Sequence, residues 1–147
     1  MMKNIEVVIR EMTIHDAKDV TSLSSQLGYP LSLAQIEKNI FAVISNSDHC
    51  AFVAMINNQV VGWIGVSHSI QIEVEEYTEI HGLVIDKNYR KAGIGKKLIE
   101  KAKEWAKEKG DSKLNLHCNI IRTETHKFYE HLGFKEIKQQ KVYSIDI

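Results

Sequence analysis

The residues with the clearest chemical potential lie in one short segment, Arg90-Lys91-Ala92-Gly93-Ile94-Gly95-Lys96, between a predicted strand and a predicted long helix. The first backbone N–H groups of a helix have no intrahelical partner, and the helix dipole makes that end partly positive. Glycines let the backbone approach an anion closely, and the three basic side chains add charge. The segment therefore predicts a phosphate cradle; the alternative is an ordinary basic loop before an amphipathic helix.

Two familiar phosphate motifs are excluded by their spacing. A P-loop needs a glycine where Arg90 stands and a serine or threonine where Lys97 stands. The dinucleotide fingerprint needs a third glycine at the position of Leu98. A nucleotide-binding phosphotransferase is therefore disfavoured.

Alternating strand and helix patterns surround this segment and predict one compact α/β or α+β domain over residues 1–147. Strands are predicted at Ile5–Arg10, Cys50–Ile56, Val60–Val66, Thr78–Ile85, Leu114–Cys118, Phe134–Ile137 and Val142–Ile145. Helices are predicted after the capping-box candidates Thr13–Asp16 and Ser32–Gln35, from Ile94 to Gly110, and through Thr125, Phe128 and Leu132 up to Gly133.

Composition limits the class of protein. The 147 residues include 19 basic and 19 acidic side chains, so no overall field attracts nucleic acid or an anionic membrane. The stretch from His49 to Ile72 has no acidic residue, lysine or arginine, but Asn57-Asn58-Gln59 near its middle predicts a hairpin turn and not a membrane span.

The two cysteines, Cys50 and Cys118, lie far apart and match no zinc spacing, so we expect no metal. Free thiols and the absence of a signal-peptide pattern at the N-terminus favour a cytoplasmic protein. We expect no nucleic-acid or membrane partner. The sequence leaves open whether the chain forms a homodimer.

The sequence resembles the GNAT acyltransferases along most of its length. Arg90-x-x-Gly93-x-Gly95 is similar to the family signature [Arg/Gln]-x-x-Gly-x-[Gly/Ala], which holds the pyrophosphate of acetyl-CoA. Further matches occur in the family's order: Ile9-Arg10-x-x-Thr13-x-x-Asp16, Val60-Val61-Gly62, Leu83-Val84-Ile85-Asp86 with Tyr89, and Phe128-Tyr129-Glu130-His131-Leu132-Gly133-Phe134.

The resemblance implies the GNAT fold, a mixed and mostly antiparallel sheet of six to seven strands with helices on both faces. The strands ending at Ile85 and near Cys118 would splay apart, with the pantetheine arm of the co-substrate acetyl-CoA between them. Backbone groups of Leu83, Val84 and Ile85 would pair with pantetheine as an added half-strand. The phosphates would be held at Arg90, Lys91, Ala92, Gly93, Ile94, Gly95 and Lys96.

The activity that the resemblance implies is N-acetyl transfer from acetyl-CoA to a small-molecule or protein amine. Such a transfer needs a neutral amine, a stabilised thioester oxygen and a proton for the departing thiolate. Neither cysteine falls in the matched site, so we expect direct transfer in a ternary complex. The alternative is a non-catalytic acyl-CoA-binding sensor or regulatory module with the same fold.

Tyr129 is the candidate acid, since it matches the family tyrosine thought to protonate the thiolate. It lies one helical turn after Thr125, beside Phe128, which we expect to face inward. Reference pKa values of about 10 for phenol and about 8.5 for thiol make the transfer uphill by roughly 2 kcal/mol in water. The alternative is an ordinary core tyrosine.

Glu79 is the candidate base or amine-binding carboxylate, because some family members use a glutamate at this place as the base. Strand alternation predicts that it shares a face with His81 and Leu83. The alternative is an exposed strand carboxylate. His81 and His117 are reserve bases with natural pKa values nearer neutrality, although a structural role is the simpler expectation for each.

One departure from the family affects the acceptor side. Arg122 and Thr125 stand where many members have asparagine and alanine, so the contact of that asparagine is not carried over. By resemblance, Gly28-Tyr29-Pro30 and the loop at Gln139-Gln140-Lys141 would flank the acceptor groove. The acidic run from Glu73 to Glu79 favours a cationic amine such as an aminoglycoside, a polyamine or a protein amine.

Overall fold

A computed structural model of the chain describes residues 6–26, 28, 31–90, 92–118 and 122–147. The chain divides into two compact units, Met1–His117 and Cys118–Ile147. In the first unit the strands are β1 (Val8–Glu11), β2 (His49–Ile56), β3 (Gln59–Ser69), β4 (Tyr77–Ile85) and β5 (Leu114–Leu116). Its helices are α1 (Ala17–Ser25), α2 (Leu33–Ile44) and α3 (Ile94–Glu108).

The five strands form one sheet in the order β1-β2-β3-β4-β5. The first three pairings are antiparallel and β4 pairs with β5 in parallel, which confirms the predicted mixed, mostly antiparallel sheet. β2 and β3 form the predicted hairpin. Asn57 and Asn58 turn it with positive φ angles of 50° and 64°, a conformation that asparagine tolerates better than most residues.

Helices cover both faces of the sheet, as predicted. Val53 and Val84 pack with α1 and α2 in one core cluster. The neighbouring side chain of Phe52 lies under the Nζ of Lys101, which belongs to α3. Because successive side chains of a strand point to opposite faces, α3 lies on the face opposite α1 and α2. No helix in the described part of the chain has both the length and the apolar character to cross a bilayer.

The capping box predicted at Thr13 is present, whereas at Ser32 the structure has the serine cap alone, and the side-chain amide of Gln35 donates to Asn39 instead. The buried carboxylate of Asp16 accepts the Thr13 backbone N–H at 2.8 Å and binds Arg10 through two hydrogen bonds of 2.7 and 2.8 Å. These contacts hold the pKa of Asp16 below its ordinary value, against the opposing effect of burial. At α2, the hydroxyl of Ser32 accepts the N–H of Gln35.

The second unit differs from two predictions. It contains α4 (Thr123–His131), and Gly133 beyond the end of this helix has the expected left-handed conformation. Phe128, however, is 39% exposed and does not face inward as predicted. Residues 134–147 contain no strand, so the prediction of six to seven strands is wrong, and the described residues form five. Strand-forming residues such as Val142 and Ile145 make a strand only where a neighbouring backbone pairs with them, and here their side chains are exposed.

A buried polar cluster ties β4 and β5 to the rest of the first unit. Oδ2 of Asp111, just before β5, accepts the hydroxyl of Thr78 on β4 at 2.7 Å and lies 2.7 Å from Nδ1 of His68 on β3. His68 Nε2 is 3.6 Å from Glu76. The contact with Asp111 raises the pKa of His68, with smaller contributions from Glu76 and Asp48.

This cluster predicts a pH-dependent part of the stability. A histidine whose pKa is raised in the folded state stabilises the fold fully below its unfolded value of about 6.5, and the contribution is lost as pH rises through the folded value. We expect the free energy of unfolding of the wild type to exceed that of His68→Gln most at pH 5.5 to 6, with the difference shrinking towards pH 8.5. Denaturant titrations across this range measure it, with the exposed His15→Gln as the control. A difference independent of pH would contradict the prediction.

Candidate functional site

β4 has an edge that is only partly covered. β5 pairs with it over three positions, Thr78 to Ile80. Leu83, Val84 and Ile85 pair with β3 on their other side, and no strand in the described part of the chain lies against their free edge. A ligand with amide groups can extend a sheet at such an edge. The predicted pantetheine contacts of these three residues stay a prediction, but their backbone has the geometry that such contacts require.

A bulge interrupts β4 beside that edge. Gly65 of β3 pairs with Gly82, but the next residue, Val66, pairs with Ile80, so His81 is an extra residue without a partner on β3. An extra residue shifts the alternation of side chains on the two sides of it. The predicted common face of Glu79 and His81 is confirmed by their contact, but regular alternation does not continue from them to Leu83.

The basic segment begins α3, as its sequence predicts. Gly93 is the N-cap with φ of 78°, and its carbonyl accepts the first helical N–H, that of Lys97, at 3.1 Å. The N–H groups of Gly93, Ile94, Gly95 and Lys96 precede the first helical bond and lack helical partners. A Cβ at Gly93 would meet nothing within 4 Å, so the space beside these donors is open.

The remaining residues of the segment frame these donors. Ile94 and Gly95 are buried and anchor the start of α3, whereas Arg90, Ala92 and Lys96 are exposed. Lys91 lies outside the described residues. Four backbone donors at a positive helix end, with two described basic side chains nearby, suit a diphosphate.

The structure brings Glu79 together with both reserve histidines. Oε1 of Glu79 lies 2.8 Å from Nδ1 of His117, and Oε2 lies 3.6 Å from Nδ1 of His81. The Glu79 side chain is only 16% exposed, so it is not the solvated strand carboxylate of the alternative interpretation. The parallel pairing of β4 with β5 makes this cluster, because His117 follows β5 directly.

Two residues that sequence reasoning missed complete the cluster. The buried Ser67 bonds to Nε2 of His81, and His49 stacks on the His81 ring with centroids 6.0 Å apart. Both come from neighbouring strands, and their pairing in the register of β2 and β3 places them beside the bulge. No motif marks them, since the contacts depend on strand register.

Trp63 and Gly82 form an adjoining wall. A Cβ at Gly82 would lie 2.6 and 2.8 Å from two ring carbons of Trp63, so only glycine fits under this ring. The ring also packs against the α1 and α2 core. Its Nε1 is buried and has no hydrogen-bond partner in the described part of the chain.

Tyr129 lies on α4, in the second unit. Burial raises the pKa of its phenol, with a smaller contribution from Cys118, while Arg122 opposes the shift. The ring makes edge contacts with Phe128 and Phe134. A raised pKa keeps the phenol protonated at neutral pH, as a proton donor requires. Arg122 is exposed just before α4.

The predicted acceptor-side segments are only partly described. Tyr29 and Pro30 lie outside the described residues, and Gly28 has a positive φ of 79°. The segment at Gln139 to Lys141 is exposed in the second unit. The acidic side chains of Glu73, Glu75 and Glu76 are exposed on the loop between β3 and β4.

Comparison with known proteins agrees with this geometry. The sequence profile of the Acetyltransferase (GNAT) family matches residues 15–134. An uncharacterized N-acetyltransferase of Methanocaldococcus jannaschii, MJ1207, is 36% identical over 87 residues, which cover 58% of this chain and 38% of that protein. The chain spans about a third of the length of several curated relatives that it matches.

Solved structures share the fold. The apo aminoglycoside 6'-N-acetyltransferase AAC(6')-IG of Acinetobacter haemolyticus has a TM-score of 0.85 at 19% identity, covering 95% of this chain and 99% of that one. The aminoglycoside N-acetyltransferase AAC(6')-Iy in complex with CoA has a TM-score of 0.88 at 18% identity, covering 100% and 99%.

The contact of Trp63 with Gly82 predicts a strong coupling between the two positions. Gly82→Ala forces a methyl group against a packed ring, and such overpacking costs about 1–3 kcal/mol. We expect Trp63→Phe to recover part of that loss in the double variant, because the smaller ring leaves room for the methyl group. A double-mutant cycle of unfolding free energies measures the coupling. Additive losses would show that the ring does not press on Gly82.

Proposed function

The chain belongs to the GNAT acetyltransferase family, and we propose that it transfers the acetyl group of acetyl-CoA directly to an amine in a ternary complex. The observation that carries the proposal is a continuous stretch of backbone with two open features. The free edge of β4 at Leu83 to Ile85 leads, within one short loop, to the open N–H groups at the start of α3. An extended arm with amides followed by a diphosphate matches the chemistry of CoA.

In this proposal acetyl-CoA binds mainly through the backbone. Leu83, Val84 and Ile85 pair with the pantetheine amides, and the N–H groups from Lys91 to Lys96 hold the pyrophosphate. Arg90 adds an exposed positive charge, so we expect added salt to weaken binding. No step of the proposed chemistry needs a metal.

Two side chains serve the proposed chemistry. Glu79 acts on the acceptor amine, which must lose a proton before it attacks. Tyr129 donates a proton to the departing thiolate. Burial raises the pKa of the Tyr129 phenol and so makes it a weaker acid than it is in water. A site that buries the phenol also destabilises the thiolate, which raises the pKa of the thiol and narrows the difference between the two pKa values.

Cysteine chemistry is not part of the proposal. Burial raises the pKa of Cys50, with Glu11 contributing in the same direction, so its thiol is protonated at neutral pH and a poor nucleophile. Cys50 and Cys118 are both free. Free thiols support a reducing compartment, and we propose a cytoplasmic location on that basis.

The proposed acceptor is a cationic amine, either a small molecule or a protein amine. The exposed acidic side chains of Glu73, Glu75 and Glu76 supply negative charge on the loop between β3 and β4, shortly before Glu79. We propose residues 1–147 as one functional domain, which the family match across both units supports.

Calorimetry and a thiol-release assay test the proposal together. Acetyl-CoA should bind and ATP should not. CoA thiol should then appear with at least one amine among spermidine, kanamycin and a lysine-containing peptide. Binding of acetyl-CoA without thiol release from any of them would instead favour the non-catalytic acyl-CoA-binding module.

The backbone cradle predicts a specific effect at Gly93. Gly93→Ala places a methyl group in the open space beside the helix donors, and we expect the affinity for CoA to fall at least about tenfold, or about 1.4 kcal/mol. Gly110→Ala is the matched control, since Gly110 follows the other end of α3 with φ of 84° and equally open space. Both variants carry similar backbone strain, of about 1–2 kcal/mol. Equal CoA affinities in the two folded variants would remove the cradle from the proposal.

The acid role predicts a selective loss at Tyr129. Tyr129→Phe keeps the ring contacts with Phe128 and Phe134 but removes the proton, so turnover should fall by about 10²–10⁴-fold while acetyl-CoA affinity stays the same. Tyr143→Phe, at an exposed tyrosine of the same unit, is the control. Undiminished turnover in Tyr129→Phe would leave water as the proton source.

A further inference from the structure

Each oxygen of the Glu79 carboxylate lies near the ring nitrogen of a histidine. Oε1 lies 2.8 Å from Nδ1 of His117 and Oε2 lies 3.6 Å from Nδ1 of His81. The exposed fractions of the side chains are 16% for Glu79, 49% for His81 and 71% for His117. An acceptor amine arriving from solvent therefore meets an imidazole before it meets the carboxylate.

The two imidazoles differ in what remains free on each ring. A carboxylate beside Nδ1 favours the tautomer with its proton on that nitrogen, which leaves the lone pair on Nε2. In His81, Nε2 is bonded to the hydroxyl of the buried Ser67, and the ring is stacked on His49. His81 is thus held in place, with Nε2 hydrogen-bonded to Ser67 and Nδ1 beside the carboxylate. In His117 the Nδ1 edge faces Glu79, and 71% of the side chain is exposed to solvent.

We propose that Nε2 of His117 is the proton acceptor for the amine, and that Glu79 is a positioning residue that holds His117 in the tautomer this requires. A carboxylate behind an imidazole is a recurrent arrangement for general bases, because the negative charge also stabilises the imidazolium that forms. Glu79 lies in the first unit with His117, and parallel pairing of β4 with β5 sets their distance. The inference rests on the proposed acetyl transfer and reassigns the role of Glu79 within it.

The proton and bond changes balance as follows. The ammonium form of the acceptor gives one proton to Nε2 of His117, which later releases it to solvent. The neutral amine attacks the thioester carbon, the C–N bond forms and the C–S bond breaks. Tyr129, as proposed above, gives its phenolic proton to the thiolate. The nitrogen loses its second proton as the amide forms, and that proton, passed through solvent, restores the phenol of Tyr129.

The tautomer is measurable without turnover. Long-range proton–nitrogen NMR of the nitrogen-15-labelled protein, at a pH where the rings are neutral, should show His117 protonated on Nδ1 and bare on Nε2. Glu79→Ala should remove that preference, and His15→Gln, at an exposed histidine elsewhere, should leave it unchanged. A wild-type His117 protonated on Nε2, or a preference that survives Glu79→Ala, would overturn the positioning role.

Kinetics with the amine identified from the panel separate the two roles. His117→Gln should lower kcat by about 10²–10⁴-fold with the KM for acetyl-CoA unchanged. Adding Glu79→Gln to His117→Gln should lower kcat little further, because residues acting as one unit are not additive. His15→Gln should match the wild type.

These kinetic outcomes separate a wrong assignment of the base from a failure of the proposed acetyl transfer. Full kcat in His117→Gln, with loss in Glu79→Gln alone, would overturn this inference and return the base role to Glu79. A folded wild type that releases no thiol with any amine of the panel would overturn the proposed function itself.

Discussion

The short parallel contact between β4 and β5 is the constraint on which the site depends. The two strands pair over only three residues of β4, and no strand among the described residues covers the rest of that edge. Were the pairing longer, no backbone would be available to an extended ligand; were it absent, His117 would not reach Glu79. The buried carboxylate of Asp111 secures this junction, because it binds Thr78 on one strand and lies where the chain enters the other. Backbone bonding of Thr78 to Lys113 adds to it.

The bulge at His81 brings a titratable side chain to the junction of β4 and β5. One extra residue in β4 places the imidazole beside Glu79 and within reach of Ser67, while regular pairing resumes at Gly82 for the residues that lead towards α3. Bulges commonly redirect side chains near active sites. Gly82, the residue after the bulge, must be glycine because the ring of Trp63 occupies the space where a side chain would stand.

The family resemblance and the residue chemistry carry different parts of the functional argument. Membership of the acetyltransferase family follows from a match over residues 15–134, and it accounts for the free strand edge and the glycine-led start of α3. The two imidazoles beside Glu79 are assigned their roles from contacts within this chain and not from the family match. Their exposure, and the shielding of the carboxylate between them, indicate which group an amine meets first.

The sequence by itself determined the elements whose signals are local. The Asn57-Asn58 turn, the capping box at Thr13, the serine cap at Ser32, the apolar stripe of α3 and the glycine at its start depend on neighbours within a few residues, and the structure contains each of them. The pattern also sufficed for the fold class, because helix and strand periods alternate plainly along the chain.

Only the tertiary structure decided which distant residues meet. The contacts of Glu79 with His117 and of His81 with Ser67 depend on strand order, on register and on one inserted residue, none of which hydrophobic periodicity encodes. The same limit explains the wrong strands after Phe134: their composition suits a strand, but a strand also needs a paired backbone, which composition cannot supply. Local patterns specify what a segment can become, and long-range pairing selects which side chains it brings together.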